Sequence, residues 1–453
     1  MKYISTRGGS EPLSFSAAVA EGLAPDGGLY IPAEFPNIQD KLEYWQNLSY
    51  AELCFEFMKL FATDIDEESL KDIAYTSYSK FDDTAIAPLK KLDNGLYILE
   101  LFHGPTLAFK DFALQFLGNL YEHLLAKSGK TINVLGATSG DTGSAAINGL
   151  LGKKGVRIFI LYPNGRVSPL QERQMACTEA DNVFPIAIDG TFDDAQAIVK
   201  EIFGDVSFKN EWNLSAVNSI NLARILAQCV YYIYAWLSLE KSERDNVQFI
   251  VPTGNFGNIL AGWFASKMGL KVANFKVATN QNDILYRLFK SGVYEVSSVK
   301  PSVAPSMDIQ VSSNFERFIY FMEGENPERV CEIMGEFKCS GKWVFDNFSA
   351  EDFSASRMDD SEIATKIEEI YKKYGEVIDP HTACGFADIS HKGTKIILST
   401  ASPAKFPELI EKVIAVHPTA ESLEKLLSKP IVNEKMPANT QKIRDYISAN
   451  GIK

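Results

Sequence analysis

The sequence has no pair of cysteines at CxxC spacing. Its 6 cysteines, Cys54, Cys177, Cys229, Cys331, Cys339 and Cys384, are scattered through 453 residues. That distribution argues against a zinc centre or a disulfide framework and predicts reduced thiols in a cytoplasmic protein. No metal site is expected. No apolar run approaches the roughly 18–20 residues that cross a bilayer, so a membrane is not an expected partner. The opening MKYISTRGG lacks the apolar stretch of a secretory leader. Positive charge is also in short supply, with 45 Lys and Arg against 58 Asp and Glu and a net charge of -13. Phosphate backbones need basic surface, so nucleic acid is not an expected partner. A small anion can still be held where a pocket is locally positive. Neither GxGxxG nor a Walker A loop is present, and there is no repeat or low-complexity segment.

What is there reads as a globular α/β protein. The chain is too long for one small core, so two or three packed units are expected. From Leu96 onward, short β-rich apolar runs alternate with longer helical stretches. Strands are read at 96–101, 131–136, 156–162, 183–188, 247–252, 271–278 and 395–400, and helices at 112–129 and 219–240. The strands are apolar throughout, as strands covered on both faces are. The alternation predicts parallel sheet flanked by helices. Upstream, PDGGLYIP (25–32) reads as a turn and a short strand, and AELCFEFMKLFA (51–62) has helical spacing. Residues 361–374 read as a solvated, charge-mixed helix. The chain beyond Ser402 reads as helical and peripheral.

Ligands of open parallel sheets bind beyond the carboxyl ends of strands, and four segments there stand out. FHGPTLAFKDFALQFLG (102–118) carries Lys110 among Ala108, Phe109 and Phe112. A surface lysine opening a helix is the plain reading. A desolvated lysine, however, has a lowered pKa and serves as nucleophile and base. LGATSGDTGSAA (135–146) reads equally as an anion nest at a helix N-terminus or as a capped turn with Ser139 or Asp141 as the cap. VPTGNFGNILAG (251–262) has the same two readings, since Gly254 and Gly257 let backbone amides approach a phosphate or simply serve a turn. IDPHTACGFAD (378–388) opens a helix with His381 and Thr382. One lysine with two anion loops is the combination a phosphorylated aldehyde cofactor needs.

MKYISTRGG, GLAPDGGLYIP, FHGPTLAFKDFA, ATSGDTGSAA, GRVSPLQERQM, FDDAQ, NSINLAR, PTGNFGN, SMDIQVSSNFER and DPHTACG follow one another from residue 1 to about residue 390. In that order they resemble the threonine synthase family. FKDFA and GNFGN alone are shared by fold type II pyridoxal-phosphate (PLP) enzymes. The N-terminal block with SMDIQVSSNFER is the specific match, similar to the longer bacterial and fungal form without the plant regulatory extension. The resemblance implies an α/β fold of type II, tryptophan synthase β-like, with two parallel-sheet core domains plus an N-terminal segment. The expected division is an N-terminal domain at 1–90, a catalytic core at 91–400 and a C-terminal helical segment at 401–453. Within the core, about 115–215 forms a smaller mobile domain and the remainder anchors the cofactor.

The resemblance also implies roles. Lys110 matches the lysine that bonds to the cofactor aldehyde. Gly254, Asn255, Phe256, Gly257 and Asn258 match the cofactor-phosphate loop, and Thr382 matches the hydroxyl facing the pyridine nitrogen. A hydroxyl there in place of a carboxylate leaves that nitrogen neutral and disfavours transamination. Thr138, Ser139, Asp141 and Thr142 match the loop for the substrate's amino-acid end. Asn218, Ser219 and Arg224 match the substrate-phosphate group, and an arginine fork suits a phosphate. NSINLAR is read as opening the long helix, so that Asn218 and Ser219 offer N-terminal amides to an anion. His381 receives no role. The implied reaction converts O-phospho-L-homoserine and water into L-threonine and phosphate, in a monomer or homodimer. A serine or threonine dehydratase of the same fold is the alternative, separated by having no need for a second phosphate site. A non-catalytic member is the other, opposed by the intact Lys110 and both loops.

Overall fold

Strands buried on both faces form two separate parallel sheets in the computed structural model, which describes residues 1–453 apart from Ser139, Val217, Asn218 and Asn347. The larger sheet runs Phe353–Arg357, Asn274–Thr279, Val247–Pro252, Thr394–Ser399, Leu96–Glu100, Leu89–Asp93. All neighbours are parallel except the last two, a hairpin turned at Gly95. Every residue of Val247–Pro252 is buried. The edge strand Leu89–Asp93 keeps Lys90 and Lys91 in solvent, which discourages edge-to-edge pairing. The smaller sheet runs Glu434–Pro437, Val183–Asp189, Val156–Pro163, Ile132–Ala137, Leu214–Ala216, all parallel.

Each strand read from the sequence is present within a few residues. The tail differs. It is not peripheral, because Glu434–Pro437 pairs with Val183–Asp189 as an edge strand. Ile443 and Ile447 of the helix Thr440–Asn450 lie in one apolar cluster with Leu135, Phe159 and Ile186. Three mostly polar residues precede each isoleucine of that helix and hide a two-residue apolar stripe of spacing four, enough to bury one face.

Two contacts set the site. The helix Lys110–Ser128 lies against the helix Asp141–Leu150 at a glycine crossing, where a Cβ on Gly118 would strike the Gly149 carbonyl. That crossing fixes Lys110 relative to Asp141. The N-terminal helices Tyr50–Met58 and Glu67–Tyr78 pack Tyr50 and Tyr78 on Phe112, with ring centroids 5.4 and 6.1 Å apart. Among the described residues, no helix is long and apolar enough to cross a membrane.

Candidate active site

Lys110 follows the carboxyl end of Leu96–Glu100 through a loop held under strain. Leu107 sits at φ 60, where side chains are disfavoured. The loop is pinned to the neighbouring strand end, with Phe109 N–H donating to the Thr400 carbonyl (2.9 Å) and Ser402 N–H to the Leu107 carbonyl (3.0 Å). Asp111 holds the loop from inside, accepting from Thr106 N–H (2.8 Å) and Thr106 Oγ1 (2.7 Å), and burial pushes its carboxyl up to about 6. Only 12% of the Lys110 side chain is exposed. Burial lowers its pKa to about 8, working against Asp141, whose Oδ2 lies 3.7 Å from Nζ, and helped by the charges of Lys405 and Arg224.

Two strands away in the same sheet, Val247–Pro252 leads into Gly254–Asn258 and the helix Gly257–Lys267. Among the described residues, no backbone N–H from Gly254 to Ile259 has a protein acceptor. The carbonyls are occupied from behind. Ser312 Oγ donates to Gly254 O (2.7 Å), and Asn314 N–H donates to Asn255 O (3.1 Å). A Cβ on Gly254 would lie 3.0 Å from Ser306 O, and one on Gly257 3.0 Å from Asn314 Nδ2. Phe256 takes φ 62, and its ring is buried beside Phe315 and Phe318, so only its backbone can serve a ligand. Tyr231 and Tyr232 hydroxyls both donate to Asn258 Oδ1 (2.6 and 2.9 Å). That leaves Asn258 Nδ2 as a buried donor without a partner among the described residues. Free amides at a helix N-terminus beside an unpaired amide donor suit a phosphate, and a desolvated amine stands in reach of the same sheet edge. The residues present therefore fit PLP.

Thr382 is fully buried in the short helix Pro380–Cys384. Its hydroxyl donates to Asp379 Oδ1, so toward any third group its oxygen can only accept. Ser399 Oγ, 3.0 Å away, is a second hydroxyl at this place and was not read from the sequence. His381 now has a function within the scaffold. Its Nε2 accepts from Ser306 N–H (3.2 Å), so its proton is on Nδ1, which donates to Asp379 Oδ2 (2.6 Å).

In the 138–142 loop, Thr138 Oγ1 accepts from Gly140 N–H (3.0 Å) and Gly143 N–H (2.9 Å). Its hydroxyl therefore shapes the loop. Asp141 begins the helix and is buried, while Thr142 is half-buried beside it. Ser139 lies outside the described residues. Asp141 accepts from Gln171 Nε2 (3.0 Å), Ser306 Oγ (2.8 Å) and Lys405 Nζ (2.6 Å). Burial opposes its charge, but Lys405 and Lys110 hold the carboxyl well below the usual range.

The helix expected from Ser219 begins at Leu222, capped by Asn221, whose side chain accepts from Ala223 N–H (3.0 Å). The Asx cap displaces the start by three residues, so the Ser219 amide is not a helix N-terminal donor. Ser219 Oγ instead pairs with Ser313 Oγ (2.7 Å), and Asn218 lies outside the described residues. Arg224 falls in the first turn, buried, with Nε and Nη1 lacking any partner among the described residues. Burial lowers its pKa to about 10. Arg317, unassigned from the sequence, braces this corner by donating to the carbonyls of Ile220 (2.6 Å) and Tyr30 (2.9 Å) and to Asn314 Oδ1 (2.5 Å). The N-terminal strand Tyr30–Pro32 thereby reaches this corner, and MKYISTRGG is tied to SMDIQVSSNFER separately, through Arg7 Nη2 donating to Glu316 Oε2 (2.8 Å) and Thr6 Oγ1 to Glu316 Oε1 (2.7 Å).

A desolvated lysine and an amide nest at the carboxyl ends of two strands of one sheet, one strand apart, define a fold type II PLP-dependent enzyme, and residues 82–397 match the family model described as pyridoxal-phosphate dependent enzyme. The chain belongs to the threonine synthase family. Residues 2–78 match the model for the threonine synthase N terminus and 382–447 that for its C-terminal part. It is 46% identical to a Schizosaccharomyces pombe threonine synthase, covering 92% of this chain and 90% of the relative. It is 44% identical to one from Pseudomonas aeruginosa, covering 100% and 99%. The PLP-bound threonine synthase from Brucella melitensis superimposes with TM-score 0.96 at 40% identity, over the whole of both chains.

Proposed function

We propose that this chain converts O-phospho-L-homoserine and water into L-threonine and phosphate. The observation that carries the reading is a desolvated amine, Lys110, accompanied by two distinct anion places: the Gly254–Asn258 amides and the Arg224 guanidinium, whose Nε and Nη1 have no partner among the described residues. A dehydratase has no use for the second.

When bound, PLP supplies an aldehyde for an amine and a ring that accepts negative charge from Cα. Lys110 Nζ would hold that aldehyde, and as a free amine would take the Cα proton, which requires its uncharged form. The Gly254–Asn258 amides would hold the cofactor phosphate. With the Thr382 proton committed to Asp379, Ser399 Oγ beside it is the hydroxyl with a proton to offer a neutral pyridine nitrogen. Thr138, Ser139, Asp141 and Thr142 form the loop for the substrate's amino-acid end. Arg224, with Asn218 and Ser219 as the resemblance assigns them, binds the substrate phosphate as it leaves Cγ, before water adds at Cβ. The region of about 115–215 closes over the site and excludes water. The protein works in the cytoplasm as a monomer or homodimer. The test measures phosphate release from O-phospho-L-homoserine together with threonine formation. Equal amounts of both are expected, and phosphate without threonine overturns the reading.

A further inference from the structure

Lys405 has no place in the reaction above, yet only 1% of its side chain is exposed. It ends the short turn Pro403–Lys405 beyond the strand Thr394–Ser399. A buried ammonium is tolerated when it is paired and hydrogen-bonded. Lys405 Nζ meets Asp141 Oδ1 at 2.6 Å and donates to the Thr106 carbonyl at 2.9 Å. Asp141 is thereby gripped on one oxygen by Lys405 and Gln171, and on the other by Ser306, at 3.0 Å or less. Lys110, at 3.7 Å, stands outside hydrogen-bond length from the same carboxylate.

The arrangement sets two cations against one carboxylate and gives the contact to the one that does no chemistry. We propose that Lys405 is a positioning residue for Lys110: by pairing with Asp141 from the far side, it neutralises the carboxylate that would otherwise close on the Lys110 amine and hold its proton. The inference rests on Lys110 being the cofactor-bonding amine, which borohydride fixation of PLP to Lys110 in the wild-type protein tests separately. The charged groups facing Lys110 are Asp141, Lys405 and Arg224; His381 also faces Asp141, and Asp111 faces Lys405. Of these, Asp141 alone favours the protonated amine, while burial, Lys405 and Arg224 disfavour it.

The experiment reads the amine directly in cofactor-free protein. Trace labelling of Lys110 by an amine-reactive reagent is followed against pH by mass spectrometry in wild type, Lys405→Met, Asp141→Asn and the double variant. An opposite charge released onto a neighbour moves a midpoint by about one to three pH units. Lys405→Met is expected to raise the Lys110 midpoint by that amount and to slow PLP capture at neutral pH about tenfold or more. Asp141→Asn is expected to lower the midpoint, and the double variant to return it toward the wild-type value. A merely structural role gives losses that accumulate in the double variant instead of cancelling. An unmoved midpoint in folded Lys405→Met overturns the proposal. Should that variant not fold, an unmoved or raised midpoint in Asp141→Asn overturns it equally.

Discussion

Lys110 and Arg224 are both desolvated cations, and their removal separates chemistry from substrate recognition. Lys110→Met is expected to abolish threonine formation while the protein still folds, read by coupled assay and far-UV circular dichroism. Without cofactor, the variant should melt above wild type at pH 7, because a desolvated ammonium costs stability. The sign follows from the lowered pKa. Between about 8 in the folded state and the ordinary 10.5, the unfolded chain binds the proton that the folded one releases. Wild-type stability therefore gains with pH through that window, and the difference in melting temperature should shrink across it. Arg224→Ala removes charge-assisted hydrogen bonds of roughly 1.5–3 kcal/mol each to substrate phosphate. kcat/KM for O-phospho-L-homoserine should fall at least about tenfold, and up to several hundredfold for a bidentate pair. The absorbance of bound cofactor should be unchanged. A collapsed spectrum would move Arg224 to the cofactor, and normal kinetics would leave it without the assigned role.

At the scale of elements, the turn before Gly257–Lys267 is the most exacting. Gly254→Ala puts a methyl 3.0 Å from the Ser306 carbonyl, so the loop must shift and its amides lose their aim. PLP affinity should weaken by about tenfold or more, the equivalent of one charge-assisted bond, with secondary structure intact. Fluorescence titration of cofactor into apoprotein measures it. This turn was legible in the sequence because glycines, a strand and a helix are adjacent in the chain. So were the core strands, whose apolar runs carry their own signal. Lys405 was not. It follows a strand end in the same way as Lys110, but its partner Asp141 is more than two hundred and fifty positions away, and no local pattern reports such a pair. Ser306, Ser399 and Arg317 were missed for the same reason, since each matters through what it touches in space. The Ser219 expectation failed on a local competitor, the Asn221 cap. Thr138 lies between the strand Ile132–Ala137 and the helix Asp141–Leu150, and its hydroxyl accepts from that loop's own amides.

For the whole molecule, the two separate sheets imply where truncation is felt. Deleting residues 431–453 removes the edge strand Glu434–Pro437 and uncovers Leu135, Phe159 and Ile186, which pack with Ile443 and Ile447. The truncated protein should melt at lower temperature and bind hydrophobic dye, while the larger sheet keeps its near-native circular dichroism. An unchanged melting curve would show the tail to be dispensable. The same strand has a consequence for synthesis. Ile132 and Glu434 belong to one sheet but leave the ribosome far apart in time, on the order of tens of seconds at about 5–20 residues per second. Through that interval Val183–Asp189 stands as an uncovered edge, the kind of surface that recruits other chains. Lys405 arrives within the same late stretch. Shielding of that waiting edge until Glu434–Pro437 pairs with it is therefore a demand that this sheet order places on the growing chain.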